Sequence, residues 1–320
     1  MSDMALDPQI AEVYAALAET IMAAGPLTIP ARGDTLALRA VVDGGLSVSP
    51  MPESSRVSVK SYEVATSDEQ SIEVRWYSPE DADPAVPRPA VAYFHGGGMI
   101  AGKPEYYDGV VRYYVEQSQV CIAVVDYRLA PEHPGGRMAH DGLDTLNWML
   151  ANAGELGVDP ARIAVMGDSG GGGVAAATAI LAREHDIKLA KQILIYPMLD
   201  DRNTVPDPLF PAVLSWDWDS NWTAWHALLG DAAGGADVSP VAAPARLVEF
   251  DGLASAYIEV GELDIFRDES IDYAQRLYRA GISCELHVLP GVNHGHDRLS
   301  VDIDVSRRTF ADRCRVLANL

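Results

Sequence analysis

Residues 162–182 read RIAVMGDSGGGGVAAATAILA. A strand-like run at 162–166 meets a Gly- and Ala-rich, helix-like run at 172–182, and the joint between them is Gly167-Asp168-Ser169-Gly170-Gly171. A joint this short forces its neighbours together, and glycine on each side of the serine is what avoids the clash. The G-x-S-x-G spacing therefore predicts a strand, a sharp turn that lifts the Ser169 hydroxyl out over the end of that strand, and a helix.

The same alternation extends in both directions. Apolar runs at 90–94, 120–125, 192–196, 256–260 and 285–289 are separated by helical stretches. That order implies an α/β fold with a mostly parallel central sheet and helices on both faces, in which chemistry gathers at the carboxyl ends of the strands. Ahead of it, runs at 57–66 and 72–78 predict a hairpin, followed by a Pro-rich loop at 79–89. The first fifty residues predict a helix over 7–24, with Ile10, Val13, Tyr14 and Leu17 at helical spacing, a break at Gly25-Pro26, and a shorter second helix. One stretch, 200–235, breaks the rhythm: it carries Trp216, Trp218, Trp222 and Trp225, and no strand follows before 256. The organisation expected is an N-terminal helical part of a cap at 1–50, a core in two parts at 51–199 and 236–320, and a cap insertion at 200–235.

Composition narrows the class. Lys and Arg number 24 against 46 Asp and Glu, and the net charge of -22 repels the phosphate backbone on which nucleic-acid affinity rests. No nucleic-acid partner is expected. The same field predicts little affinity for acidic esters. Cys121, Cys284 and Cys314 are odd in number and form no CxxC pair, which argues against a disulfide framework or a zinc site and fits a reducing compartment. The first residues lack the basic segment and apolar run of a signal peptide, and no apolar stretch approaches the roughly 20 residues of a membrane span. The expectation is a cytoplasmic protein with no membrane partner.

The residues that carry chemistry follow from what a serine needs. Consecutive glycines in His95-Gly96-Gly97-Gly98 leave backbone N–H groups free to face a cleft, and acyl transfer needs such donors because charge develops on the carbonyl oxygen. Gly97 and Gly98, with Gly170 after the serine, are the candidate oxyanion hole. A serine hydroxyl is a poor nucleophile until a base takes its proton and a carboxylate orients that base. His294, after the strand at 285–289, is the candidate base, with His296 as its rival. Asp264, after the strand at 256–260, is the candidate acid, with Glu262 and Asp268 as rivals. His287 is expected within a strand, and His133, His140, His185 and His226 lack matching partners. No H-E-x-x-H or comparable cluster is present, so neither a metal nor a cofactor is called for.

Taken as a set, these residues resemble the bacterial hormone-sensitive-lipase-like esterases of the α/β-hydrolase superfamily. The family's HGGG motif matches His95-Gly96-Gly97-Gly98, its GDSAGG motif matches residues 167–172, and its DPLRDE-like segment matches 264–269. The stretch 126–132, DYRLAPE, also matches and is read as holding the loop beside the oxyanion glycines. Gly170 stands where Ala is usual, Ile265-Phe266 where Pro-Leu is usual, and His296 where Phe is common. The resemblance implies Ser169, Asp264 and His294 as the triad, and an α/β-hydrolase fold with a helical cap. It implies small, water-soluble esters of short to medium acyl chains as substrates, with Trp216, Trp218 and Trp222 as the candidate pocket wall, and a possible homodimer. An amidase or peptidase would use the same triad. Plant gibberellin receptors, which resemble this family and bind ligand without turnover, lack the histidine that His294 supplies here.

Overall fold

In the computed structural model, residues 4–24, 29–48, 54–83, 85–208, 210 and 215–320 are described. The Gly25-Pro26 break, the boundary between residues 50 and 51, and residues 209 and 211–214 of the 200–235 stretch lie outside them.

Among the described residues eight strands form one sheet in the order β1-β2-β4-β3-β5-β6-β7-β8. Strands β1 (Val57–Ala65) and β2 (Ser71–Pro79) form the expected hairpin, and β2 pairs antiparallel with β4 (Cys121–Val125). From β4 the sheet runs parallel through β3 (Arg88–Phe94), β5 (Val158–Asp168), β6 (Gln192–Ile195), β7 (Ala256–Gly261) and β8 (Cys284–Leu289). Successive residues of the central strands serve opposite faces, as the period of two requires. Ala90, Ala92 and Phe94 join one core with Leu146, Val174 and Leu277, whereas Val91 and Tyr93 join another with Val111, Tyr114 and Phe310. Helices α4 (Arg137–Ala151), α6 (Gly170–Glu184) and α8 (Arg267–Arg279) thus cover one face, and α3 (Asp108–Ser118) and α10 (Asp304–Ala318) the other, while α5 (Ala153–Leu156) and α9 (His296–Leu299) are single turns. Two faces under helices explain why these strands read as continuous apolar runs.

Helix α6 lies against the sheet at backbone contact. A side chain at Gly171 would place its Cβ 2.1 Å from the Phe94 carbonyl oxygen, and one at Gly173 would sit 2.2 Å from that of Met198. The glycine run is therefore a packing requirement as well as a turn.

Helix α1 (Pro8–Ala24) rests on the loop after β8: Ile10 packs with Leu289, Val292, Ile303 and Val305, and the Asp7 N–H donates to the Gly291 carbonyl at 2.8 Å. Among the described residues, those that seat it, Ile10, Val13 and Tyr14, belong to its first two turns. Leu17, expected on the buried stripe, is instead 39% exposed. Helix α2 (Thr35–Ser47) and the segment before it meet α7 (Trp218–Leu229) of the 200–235 stretch: the Gly33 N–H donates to Thr223 Oγ1 at 2.9 Å, and the Arg32 guanidinium lies 4.5 Å over the Trp222 ring. Among the described residues no helix is long and apolar enough to cross a membrane.

Candidate active site

Ser169 sits between β5 and α6 at φ 57°, ψ −122°, a backbone conformation that costs a non-glycine residue about 1–3 kcal/mol and persists only where its surroundings enforce it. They do. Its N–H donates to the Ile195 carbonyl and its own carbonyl accepts from Met198 N, each at 2.9 Å, while Gly167 presses on Gly171 so closely that a Cβ would meet the Gly171 oxygen at 2.2 Å.

The Ser169 hydroxyl oxygen lies 2.8 Å from Nε2 of His294, and Nδ1 of His294 lies 2.7 Å from Oδ2 of Asp264. The second carboxylate oxygen of Asp264 accepts from the Phe266 N–H at 2.9 Å. Because a carboxylate only accepts, it holds the proton on Nδ1 and leaves Nε2 to accept from the serine. Asp264 is wholly buried, whereas Ser169 and His294 keep 7% and 8% exposure. The acid is withdrawn from water while the reacting end of the array stays open. The edges of Phe266 and Tyr196 hold the imidazole, with centroid distances of 5.1 and 4.8 Å.

The rivals lie elsewhere. His296 is buried with Nε2 3.4 Å from Thr309 Oγ1, and burial pushes its pKa down. Glu262 accepts from the Gly291 N–H at 2.9 Å, and the exposed Asp268 pairs with its neighbour Arg267 at 2.7 Å. His287 lies in β8, paired with Glu285 at 2.8 Å.

The loop after β3 brings Gly97 and Gly98 against Gly170. Gly97 and Gly98 adopt φ of 123° and 61°, values at which any side chain would be strained. The position a Gly170 Cβ would occupy is 2.9 Å from the Gly98 nitrogen and 2.7 Å from that of Met99. Among the described residues, the N–H groups of Gly97, Gly98 and Gly170 have no acceptor, an arrangement suited to receiving an oxyanion beside Ser169. Tyr127 of the 126–132 stretch donates to the His95 carbonyl at 2.7 Å and stacks on its ring at 4.4 Å, and the Ala130 N–H donates to Met99 at 3.0 Å. The His95 ring, 2.8 Å through Nδ1 from the Gly96 carbonyl oxygen, is fully buried, and that burial pushes its pKa down to about 4.

Sequence reasoning missed a second tie between the serine turn and this loop. The Tyr107 hydroxyl accepts from the Gly96 N–H and donates to Asp168, both at 2.9 Å, and Tyr93 donates to the other oxygen of the same carboxylate. Burial pushes the Asp168 pKa up, and the tyrosine hydrogen bonds oppose that shift. The one available signal was an acid inside G-x-S-x-G, where burial is costly without partners.

The tryptophans divide. Trp216 covers Gly98, its ring carbon 2.5 Å from where a Gly98 Cβ would lie. Trp218 faces Phe210 at 5.4 Å and donates to Asn203 at 3.3 Å, in a cleft with Ile265 and Glu269. Trp222 stacks on His226 at 3.6 Å beneath Arg32, and Trp225 is wholly buried. Among the described residues, no group of three or more His, Cys, Asp and Glu is placed to hold a metal ion.

This geometry has relatives. A family model described as alpha/beta hydrolase fold matches residues 91–297, which include all three members of the hydrogen-bonded array. The chain belongs to the bacterial hormone-sensitive-lipase-like esterases of that fold. Over 217 residues it is 37% identical to carboxylesterase NlhH of Mycobacterium tuberculosis, a match covering 65% of this chain and 66% of that relative. It is 30% identical over 259 residues to an ethyl acetate hydrolase of Pseudomonas putida, covering 75% and 76% of the two chains. Among solved structures, a bacterial heroin esterase superposes with a TM-score of 0.86 at 33% identity, covering 98% of this chain and 97% of that one. The esterase family match and the hydrogen-bonded array thus fall on the same part of the chain.

Proposed function

We propose that this chain hydrolyses small carboxylic esters through Ser169, His294 and Asp264. The observation that carries the reading is the unbroken line from Ser169 Oγ to His294 Nε2 at 2.8 Å and from His294 Nδ1 to Asp264 at 2.7 Å, beside glycine N–H groups with no acceptor among the described residues. Ser169 attacks the ester carbonyl carbon as its proton passes to Nε2, and the resulting oxyanion takes hydrogen bonds from Gly97, Gly98 and Gly170. As the carbonyl re-forms, the ester C–O bond breaks and the imidazolium returns the proton to the departing alkoxide. Water, deprotonated by His294, then attacks the acyl-enzyme and frees the acid and Ser169. Asp264 keeps its negative charge throughout, fixing the tautomer and stabilising the imidazolium.

The N-terminal helices and the 200–235 stretch act as a cap over this end of the sheet, and Trp216 is the wall that limits the acyl chain. The name ethyl acetate hydrolase, borne by one relative, favours a short acyl group. The deciding experiment measures hydrolysis of p-nitrophenyl acetate, butyrate, octanoate and palmitate by the wild type and by Ser169→Ala, with no metal added. Preference for the shorter esters and background rates in the variant are expected. Full activity in Ser169→Ala would refute the site, and turnover of palmitate ahead of butyrate would refute the pocket.

A further inference from the structure

The imidazole of His294 is held at both ring nitrogens, but its main chain runs through a loop flanked by Gly291 at φ 71° and Gly295 at φ 64°. Two glycines in the left-handed region make soft ends. When Nε2 has taken the serine proton and turns it toward the leaving group, the bond to Ser169 no longer restrains the ring, and what keeps it in line is Asp264 and the backbone. Something outside the loop must fasten that backbone.

Three segments distant in the chain converge to do so. The His294 carbonyl accepts a hydrogen bond from the Ser215 hydroxyl and another from the Asn293 side-chain amide at 3.2 Å. The same amide, wholly buried, donates to the Tyr14 hydroxyl at 2.5 Å and also lies within bonding distance of Ser215 Oγ at 3.1 Å, so its two hydrogens are shared among three acceptors. Tyr14 comes from α1, and Ser215 immediately precedes the Trp216 that covers Gly98. The dipeptide Ser215-Trp216 is thus a strap with one residue on the base and the next on the oxyanion loop, and Tyr14 anchors it to the N-terminal helix.

We infer that Tyr14 and Ser215 are positioning residues for His294, so that the seating of both cap segments sets the alignment of the base. The inference rests on the reading of Ser169 and His294 as nucleophile and base. Neither side chain belongs to the proton path, so their loss should appear in kcat and leave binding alone.

The test compares Ser215→Ala, Ser215→Thr and Tyr14→Phe with the wild type on p-nitrophenyl butyrate, and in parallel measures the rate at which a fluorophosphonate labels Ser169. Tyr14→Phe keeps the ring that packs near Ile10, so it removes the hydroxyl without unseating α1. Since a displacement of about 1 Å in a catalytic group costs about a hundredfold, a partial loosening should lower kcat about five- to tenfold in Ser215→Ala and in Tyr14→Phe, with KM unchanged within about twofold. Labelling should slow in parallel, and Ser215→Thr, which restores a hydroxyl, should recover most of the loss. The double variant should lose less than the product of the two effects, because both act through one circuit. Ser169→Ala separates the two failures: activity there overturns the proposed site itself. Background activity there, with kcat of Ser215→Ala and Tyr14→Phe within about twofold of wild type, overturns the positioning role alone. A loss confined to KM, or a threonine variant no better than alanine, overturns it equally.

Discussion

Adding one methyl group at Gly170 tests how closely the Gly97-Gly98 loop is built onto the serine turn. The new Cβ would lie 2.7 Å from the Met99 nitrogen and 2.9 Å from both the Cα and the nitrogen of Gly98, and because these are main-chain atoms no change of rotamer relieves the contact. Restoring the 3.4 Å of an ordinary contact asks for a shift of about 0.7 Å. Helix α6 has nowhere to go, since Gly171 already abuts the Phe94 and His95 carbonyls and Gly172 abuts Pro197. The shift therefore falls on residues 97–99, which Trp216 hems in from the other side. Loss of one oxyanion donor costs about 10²–10³ in rate and a misplacement of 1 Å about 10², so Gly170→Ala should lower kcat by about ten- to a hundredfold. Overpacking of this kind should also destabilise the fold by about 1–3 kcal/mol. Steady-state kinetics on p-nitrophenyl butyrate, beside a thermal melt, measure both. A variant with kcat within twofold of wild type would refute the reasoning: either the loop has slack or the donors lie elsewhere. The outcome is informative because the family pattern has Ala here, so this chain's loop lies closer to the turn than that pattern permits.

Three further outcomes are expected. Asp264→Asn should keep the fold but stabilise the wrong imidazole tautomer, lowering kcat by about 10⁴ with little change in KM; a loss under tenfold would mean that Asp264 does not orient the base. Trp216→Ala should open space over Gly98 and move the p-nitrophenyl ester preference toward longer acyl chains, whereas Trp218→Ala, in the cleft beside Phe210, should move it less; the reverse order would displace the proposed wall. Because burial holds the His95 imidazole at about 4 against an ordinary 6.5, the unfolded chain binds its proton first on acidification. The stability it contributes is complete above pH 6.5 and is lost as pH falls toward 4, with a ceiling of about 3 kcal/mol at 1.36 kcal/mol per unit. Urea unfolding at pH 7 and pH 4.5 should therefore show a smaller acid penalty in His95→Gln than in wild type, and equal penalties would mean that His95 is not held neutral.

Much of this architecture was legible because its signals are local. The run at 162–182 announces strand, turn and helix in consecutive residues, and β3, β4 and β7 appear within two residues of their expected bounds because strands buried on both faces are uninterrupted apolar runs. The proximity of Ser169, Asp264 and His294 could be expected since each follows a strand that ends on the same side of the sheet. What was not legible depends on contacts without a local pattern. Tyr14, Ser215 and Asn293 meet across some 280 residues of chain, and nothing in the spacing of each marks it for the others. The helical period over 7–24 placed Leu17 on a buried face because periodicity cannot say where a supporting surface ends. Trp216, Trp218 and Trp222 were expected to form one wall, but Trp216 precedes α7 while Trp218 and Trp222 lie within it, and the ring nearest the place of a Gly98 Cβ is that of Trp216.

The seat of α1 has a consequence for how the chain is made. Its partners, Gly291, Val292 and Ile303, leave the ribosome long after it does: residues 7 and 291, joined by a main-chain hydrogen bond, are 284 positions apart. At about 5–20 residues per second, the apolar stripe of Ile10, Val13 and Tyr14 waits roughly 15 to 60 s for the surface that buries it. During that interval the sheet can assemble through β7 while the His294 loop is still unmade, so the nascent protein carries the Ser169 turn without the loop that faces it and a sticky helix without its dock. Synthesis in a reconstituted translation system should accordingly yield more soluble product when a chaperone that shields apolar segments is supplied from the start than when it is added after release.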